Sequence, residues 1–436
     1  MSTIPTTHVT ETRSALFSKI SWRILPFLLT CYTLAFLDRI NIGFAKLQMQ
    51  NDLGFSDAVY GLAAGIFFVG YVLFEVPSNL WMLRVGARKT ISRIMVLWGI
   101  TSAATLFVRN DTMFYCLRFL LGVFEAGFLP GMLFYLTYWY NEKRMARVIA
   151  IVTLAGPIGG ALGGPMSTWI LTKFSGAHGL AGWQWMFLLE GLPCVVLGVV
   201  ARFFLTDRPS DAKWLTETEK CLLVAELGSP APKHRSFAHV LKDPRIYLMC
   251  AAYFCVIASM YVVSFWLPTI LKERGVTNML HIGLYSAIPH AVAAFGMYFG
   301  SRSSDMHRER RYHSAVPALV GALAIAGAAL LTGQLVTSLL LLAIANTMMY
   351  MAYAVFWATP SEYLKGDSAA GGIALINTTG LIGGFMSPTF IGWIKTLTGS
   401  TQFGLLGMSC VLAIGSLLLL VNRVPNDGEA HGHRHS

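Results

Sequence analysis

Twelve long apolar runs, separated by short polar stretches, dominate this chain of 436 residues. Each run holds about 20 residues, which is the length that an α-helix needs to cross a hydrocarbon core of about 30 Å. A transmembrane β-barrel would instead show weak alternation in segments of about 10 residues. With 55% hydrophobic and only 13% charged residues, the chain is too apolar for a soluble globular protein. The sequence therefore predicts an all-α integral membrane protein.

A polar, proline-containing stretch at residues 206–244 divides the runs into two groups of six. We expect spans near residues 20–44, 59–81, 91–108, 113–138, 146–171, 184–205, 245–270, 281–300, 314–333, 336–361, 368–395 and 401–421. The predicted domains are an N-terminal six-helix bundle (1–205), a cytoplasmic linker (206–244), a C-terminal six-helix bundle (245–425) and a cytoplasmic tail (426–436).

The placement of the basic residues predicts the orientation. Most of the 33 lysines and arginines fall in the N-terminus, the even-numbered loops and the C-terminus, so both termini are expected in the cytoplasm. The two halves also repeat a pattern: Gly-Pro-Ile-Gly-Gly at 156–160 in the fifth span matches Gly-Leu-Ile-Gly-Gly at 380–384 in the eleventh. Such parallel, pseudo-symmetric halves are a known transporter architecture, with substrate held near the midplane between them.

Other classes of partner find little support. The net charge of +11 lies in the loops, where it fits membrane orientation better than nucleic-acid binding. The seven cysteines lack metal-type spacing and are odd in number, which argues against a disulfide framework. The terminal His-Gly-His-Arg-His-Ser has no predicted fold around it to build a metal site. We expect no metal, no cofactor other than protons, contact with membrane lipid and a monomer.

Four ionisable residues lie within the first and fourth spans, where charge is expensive and usually functional. Asp38 and Arg39 end the apolar stretch of the first span, and Arg118 and Glu125 are seven residues apart in the fourth. At 100° per residue, this spacing puts Arg118 and Glu125 within about 20° of one helix face and roughly 10.5 Å apart along the axis. Opposite chain directions place Asp38 at a depth similar to that of Arg118.

We therefore expect Asp38 to pair with Arg118, which leaves Arg39 to bind a substrate carboxylate through its bidentate donors. Glu125 is the predicted proton carrier. The alternative is that all four residues form a purely structural ion network.

Several further residues are weaker candidates. Glu75 lies near the cytoplasmic end of the second span and is interpreted as a gate or helix-cap residue; the basic loop that follows contains Arg84 and Arg88. The second half has no comparable midplane charge, and its candidates are Trp357 and Asn377, with Tyr71 on the second span. An aromatic residue in a membrane span is more often a packing or interface residue than a ligand contact.

Five stretches resemble the major facilitator superfamily, and within it the anion:cation symporter family of organic-anion permeases. They are LAFLDRINIGFAK (34–46), EVPSNLWMLRVGARK (75–89), RFLLGVFEAGFLPG (118–131), GWQWMFLLEGLPCVVLG (182–198) and FWATPSEYLKGDSAAGGIALINTTGLIGGFMSP (356–388). The resemblance covers essentially the whole chain.

The resemblance implies roles for the matching residues. Arg39 would contact the substrate carboxylate, Asp38 would pair with Arg118, Glu125 would be protonated, and Tyr71, Trp357 and Asn377 would line the pocket. The loop motif of the superfamily usually has Gly and Asp where this chain has Asn79 and Leu83. This departure puts the usual acid-to-helix contact in doubt, and Glu75 is the candidate to replace it.

The predicted function is proton-driven uptake of a small organic anion by alternating access in a bacterial cytoplasmic membrane. The expected substrate is a hydroxylated carboxylate, such as tartrate, a sugar acid or a hydroxyphenylacetate. Two alternatives remain open: proton-driven efflux of amphipathic compounds, and a non-transporting sensor of organic acids. An enzyme is disfavoured, because H-E-x-x-H, G-x-S-x-G and phosphate-cradling glycine motifs are absent from the sequence.

Overall fold

A computed structural model describes residues 6–227, 243–331, 333–363 and 367–422 of the chain. Within residues 6–227 the α-helices are α1 Thr6–Ile40, α2 Ile42–Leu53, α3 Asp57–Val85, α4 Ala87–Ala104, α5 Asp111–Glu125, α6 Phe128–Thr137, α7 Glu142–Thr153, α8 Ala155–Lys173, α9 Gly182–Phe204 and α10 Glu217–Leu227. Within the described residues from 243 onward they are α11 Pro244–Glu273, α12 Met279–His307, α13 Arg311–Leu330, α14 Leu335–Phe356, α15 Ala358–Tyr363, α16 Asp367–Thr398 and α17 Gln402–Val421.

The twelve predicted spans correspond to helical segments of the structure. Eleven of these segments, within the described residues, are long and apolar enough to cross a membrane. The remaining span is α16, which has 32 residues and is long enough to cross. It carries many glycines and threonines, together with Asn377, and these residues lower its hydropathy. The described residues thus contain twelve helical segments that match the twelve predicted spans.

The described chain forms two compact units. The first unit comprises residues 1–41, 69–163 and 170–230, and the second comprises 42–68, 164–169 and 231–436. Most of the first six-helix half is therefore in the first unit. The segment 42–68, which contains α2 and the beginning of α3, packs instead with the helices of the second half.

The predicted linker contains helix α10, which is attached to the first unit. Thr216 and Glu219 exchange side-chain and backbone hydrogen bonds of 2.8 and 3.2 Å at its start, which is a capping box. Glu219 also accepts from Lys19 Nζ at 2.9 Å, and Arg13 pairs with Glu226 at 2.9 Å. The hydrogen bond from Lys19 lowers the pKa of Glu219 below its ordinary value. The remainder of the linker and the predicted tail lie outside the described residues.

Candidate functional site

Two of the predicted charges lie where transmembrane helices are interrupted. Helix α1 ends one residue after Arg39, and α2 begins after Asn41. Helix α5 ends at Glu125, and α6 begins at Phe128 after Gly127, whose φ of 84° is in the left-handed region. Because glycine adopts this conformation without steric cost, it allows the break directly after the acid. Broken helices commonly form the binding sites of transporters.

Arg39 and Glu125 form a buried ion pair between these two interruptions. Arg39 Nη2 donates to Glu125 Oε1, and the two side chains are 7% and 1% exposed. The Arg39 guanidinium also lies over the rings of Phe36 and Tyr71, at 5.3 and 5.8 Å from their centroids. The ring of Tyr71 is therefore next to Arg39. The arrangement joins a permanent cation to an acid that can be protonated.

Arg118 is buried on the same face of α5 as Glu125. Both residues are only 1% exposed. Glu125 is attracted electrostatically by Arg118 as well as by Arg39. The second carboxylate oxygen of Glu125, Oε2, accepts no hydrogen bond from the described residues. Glu125 thus lies near two arginines while one of its oxygens is available to a ligand, a water or a proton.

Asp38 has partners different from the Arg118 expected from the sequence. Its carboxylate accepts from Trp98 Nε1 at 2.6 Å, Ser102 Oγ at 3.1 Å and Asn41 Nδ2 at 3.3 Å, with a further contact to Cys194 Sγ at 3.4 Å. These neutral donors attach α1 to α4 and α9. Asp38 is completely buried, and its contacts fix the backbone that carries Arg39.

Asn41 connects this group to a second buried acid that was not a predicted site residue. Its Nδ2 donates to Glu190 Oε2 at 2.9 Å as well as to Asp38. Glu190 is 1% exposed and lies on α9, in the same helix as Cys194. The position of Glu190 in the sequence does not by itself show that Asn41 reaches it.

The basic loop after α3 is held by an acid that sequence reasoning missed. Arg88 N donates to Asp207 Oδ1 at 2.8 Å, and Arg88 Nε lies 3.8 Å from Asp207 Oδ2. Gly86, with φ 92°, leaves room for this carboxylate at the start of α4. Arg84 is exposed, and the backbone oxygen of Glu75 accepts from Asn79 Nδ2 at 2.9 Å. An acid-to-helix contact is therefore present, and it comes from Asp207.

The candidates of the second unit lie among aromatic side chains. Trp357 follows the last residue of α14 and packs edge-on against Tyr253, with 5.0 Å between ring centroids. Tyr253 also stacks on Phe356 at 4.9 Å. Asn377 is half-buried on α16, one turn before Gly380, whose Cα faces the Tyr253 ring. Tyr253 thus lies next to both Trp357 and the helix of Asn377, although the sequence did not single it out.

Comparison with known proteins agrees with this architecture. The sequence profile of the Major Facilitator Superfamily matches residues 28–388. The chain belongs to the major facilitator superfamily. It is 46% identical over 419 residues to a protein of Pseudomonas putida that is provisionally named the metabolite transport protein NicT, with 94% of this chain and 96% of the relative covered.

A second relative is similar in sequence, and a solved structure is similar in fold. A protein of Agrobacterium vitis, provisionally named a tartrate transporter, is 44% identical over 411 residues and covers 92% of this chain and 90% of its own length. The crystal structure of a bacterial homologue of the human lysosomal transporter Spinster, inward-facing and unoccupied, shares the fold. Its TM-score is 0.76 at 18% identity, with 93% of this chain and 97% of that chain covered.

These relationships establish the general class of the protein. It is a multi-pass transporter of the major facilitator superfamily and not an enzyme. Its similarity to bacterial transporters and its apolar helices place it in the bacterial inner membrane.

Proposed function

We propose that this transporter imports a small organic anion together with protons, and that the anion is a hydroxylated carboxylate such as tartrate, a sugar acid or a hydroxyphenylacetate. The observation that carries the proposal is the buried ion pair between Arg39 and Glu125. Its cation is suited to a carboxylate, and its anion is a group that a proton can neutralise. The relative named as a tartrate transporter supports this class of substrate.

Charge balance explains how the pair would couple anion and proton. When Glu125 is ionised, Arg39 is satisfied internally. When Glu125 takes up a proton, Arg39 needs another anionic partner, because a buried charge without one is costly. A substrate carboxylate that replaces Glu125 restores the net charge of the site. Binding of the anion is then favoured by protonation of Glu125, and release of the proton favours release of the anion.

The surrounding residues have distinct roles in this proposal. Arg118 is a second buried cation that interacts with Glu125 and, in this proposal, favours return of the acid to its ionised form. Asp38 keeps Arg39 in place through Trp98 and Ser102. Tyr71 lies beside the guanidinium and offers a ring to the organic part of the substrate. Trp357 and Asn377 are proposed to select among substrates by shape and hydrogen bonding.

Uptake into proteoliposomes tests the proposal. Purified protein is reconstituted, an inward proton gradient is imposed, and accumulation is measured for tartrate, sugar acids and hydroxyphenylacetates. We expect at least one of these acids to accumulate, and dissipation of the gradient to stop the accumulation. If correctly inserted protein accumulates none of them, the proposal is wrong. Saturable binding without flux would identify a sensor, and outward movement of amphipathic compounds would identify an efflux pump.

A further inference from the structure

Three buried polar side chains of the second unit are not among the residues of the proposed transport site. Ser286 and His290 lie on α12, and Asn346 lies on α14. Their exposed fractions are 1%, 4% and 0%, and all three residues belong to the same compact unit. Because buried polar groups normally have hydrogen-bond partners, each one that lacks a partner needs an explanation. We call Ser286, His290 and Asn346 the second-unit polar cluster.

A hydrogen bond to the backbone fixes the ring of His290. Its Nδ1 lies 3.0 Å from the carbonyl oxygen of Ser286. A carbonyl oxygen can only accept, so Nδ1 carries the hydrogen of this bond. In the neutral ring, Nε2 is then a hydrogen-bond acceptor. The bond therefore sets both the orientation of the ring and the role of its second nitrogen.

Asn346 is held by the backbone next to His290 and has one polar atom to spare. Its Nδ2 donates to the backbone oxygen of Pro289 at 3.1 Å. Its Oδ1 accepts no hydrogen bond from the described residues, and Ser286 Oγ also has no partner among them. An unsatisfied polar atom inside a protein is destabilising. A bound group that makes hydrogen bonds to these atoms would remove that cost.

Helix geometry places His290 and Asn346 at a similar depth in the membrane. Each is eleven residues after the first residue of its helix, which corresponds to roughly 16 Å along the axis at 1.5 Å per residue. In the predicted topology both helices begin at the outer face, so both side chains lie about halfway through a hydrocarbon core of about 30 Å. Transporters with two repeated halves hold their substrates at this depth.

One face of α14 connects the cluster to the aromatic group around Trp357. The residues of this face are Asn346, Tyr350, Tyr353 and Trp357. Their spacing of four, three and four residues keeps them within about 60° of one another around the helix. Tyr353 stacks on Tyr253 with 6.3 Å between ring centroids, and Tyr253 contacts Trp357. The face that begins with Asn346 therefore ends at a proposed substrate contact.

The facing side of α12 carries His290. Ala293 and Met297 follow His290 by three and seven residues, which places the three on one face of the helix. Ala293 and Met297 form a packed cluster with Tyr350 of α14. His290 thus lies on the face of α12 that is turned toward α14, one turn before the contact with Tyr350.

The donors and acceptors of the second-unit polar cluster suit a hydroxyl group. His290 Nε2 and Asn346 Oδ1 are acceptors, whereas Ser286 Oγ can donate or accept. An ionised carboxylate has no hydrogen to donate to the two acceptors, and a buried ammonium ion would need an acid, which the three residues do not supply. A hydroxyl group both donates and accepts, so it can bond to one of the acceptors and to the serine together.

We propose that the second-unit polar cluster binds a hydroxyl group of the transported acid and determines the preference for hydroxylated over unsubstituted carboxylates. The substrate O–H donates to His290 Nε2 or Asn346 Oδ1, and its oxygen accepts from Ser286 Oγ. This subsite rests on the proposed function, because it requires an organic acid as the substrate. None of its three residues is among those that the family resemblance implies.

Equilibrium binding of acids that differ only in their hydroxyl groups tests the subsite. Calorimetry on the purified protein, at one pH and without a gradient, gives Kd for tartrate and succinate, for 4-hydroxyphenylacetate and phenylacetate, and for gluconate and hexanoate. We expect wild type to bind the hydroxylated member of at least one pair at least tenfold more tightly. His290→Leu should weaken binding of that member at least fivefold and change Kd of its unsubstituted partner by less than twofold.

Three further variants make this result specific. His290→Gln keeps an acceptor near the position of Nε2, so it should retain more of the preference than His290→Leu. Asn346→Leu should reduce the preference in the same direction, and it provides a second test if His290→Leu fails to fold. His281→Leu removes an exposed histidine from the beginning of the same helix, and it should bind both acids as wild type does.

The possible outcomes separate the subsite from the proposed function. If wild type binds a hydroxylated acid but its preference is unchanged in both His290→Leu and Asn346→Leu, the subsite is wrong and the proposed function stands. Equal binding of both members of every pair by wild type would also overturn the subsite alone. If wild type binds none of the hydroxylated acids, the subsite and the proposed substrate class are both wrong.

Discussion

Arg39 and Trp357 are surrounded by different kinds of side chain. Arg39, in the first unit, has an acid as its hydrogen-bonding partner and lies near a second arginine and a tyrosine ring. Trp357, in the second unit, contacts Tyr253 and Phe356. A proton can change the charge of Glu125, the partner of Arg39, whereas it does not change the aromatic packing of Trp357. In the proposed mechanism, coupling therefore belongs to the first group of residues and substrate selection to the second.

Removing the Arg39 guanidinium should have the largest effect. Arg39→Met is expected to reduce counterflow exchange about 30-fold or more, because truncating one partner of a buried charge pair costs about 2–5 kcal/mol. Arg39→Lys keeps the charge without the bidentate fork and should fall between wild type and Arg39→Met. The exposed Arg109 is the control, and Arg109→Met should behave as wild type. Equal activity of Arg39→Met and wild type would show that Arg39 does not bind the substrate.

Glu125→Gln should separate coupling from binding. Gln cannot release a proton, so gradient-driven accumulation should be lost, while counterflow exchange stays within about threefold of wild type because a neutral side chain imitates the protonated acid. Both quantities are measured in the same proteoliposomes. Preserved accumulation would show that the proton is carried elsewhere.

A double-mutant cycle should distinguish the two possible partners of Asp38. Thermal unfolding of Asp38→Asn, Trp98→Phe and the double variant should give a coupling of about 1.5–3 kcal/mol, the range for hydrogen bonds to charged groups. The corresponding cycle with Arg118→Met should give less. A larger coupling with Arg118 would restore the pairing that the sequence suggested.

Substitutions of the aromatic residues should have the smallest effect on transport and should change the selection of substrate. Trp357→Phe and Tyr253→Phe are expected to raise KM up to about tenfold and to change the preference among organic acids, since an aromatic pair contributes about 0.5–1.5 kcal/mol. The proton dependence should not change. Trp393→Phe, at an exposed tryptophan of α16, is the matched control. Loss of coupling in Trp357→Phe would contradict the division of roles between the two groups.

Much of the fold is visible in the sequence because the bilayer imposes one strong requirement, a run of apolar residues of sufficient length. Helical periodicity likewise put Arg118 and Glu125 on one face, as the structure has them. Periodicity does not say which of two adjacent charges points to which neighbour. Asp38 and Arg39 therefore could be assigned to the membrane interior, while their partners could not.

The missed contacts depend on residues with no distinctive sequence signal. Trp98 and Ser102 are ordinary residues of an apolar helix, yet both donate to Asp38. Lys46 follows a membrane span and has the appearance of a loop lysine, although tertiary packing buries it between two rings. Contacts of this kind arise from how helices distant in the chain approach each other.

Proton movement during transport tests the central claim most directly. A pH-sensitive dye is enclosed in proteoliposomes without an imposed gradient, and a transported organic acid is added outside as its fully ionised salt. The account predicts that the lumen of wild-type vesicles acidifies as the anion enters, and that Glu125→Gln vesicles exchange the anion without acidification. Anion entry with no pH change in wild type, or equal acidification in Glu125→Gln, would contradict coupling through the Arg39–Glu125 pair.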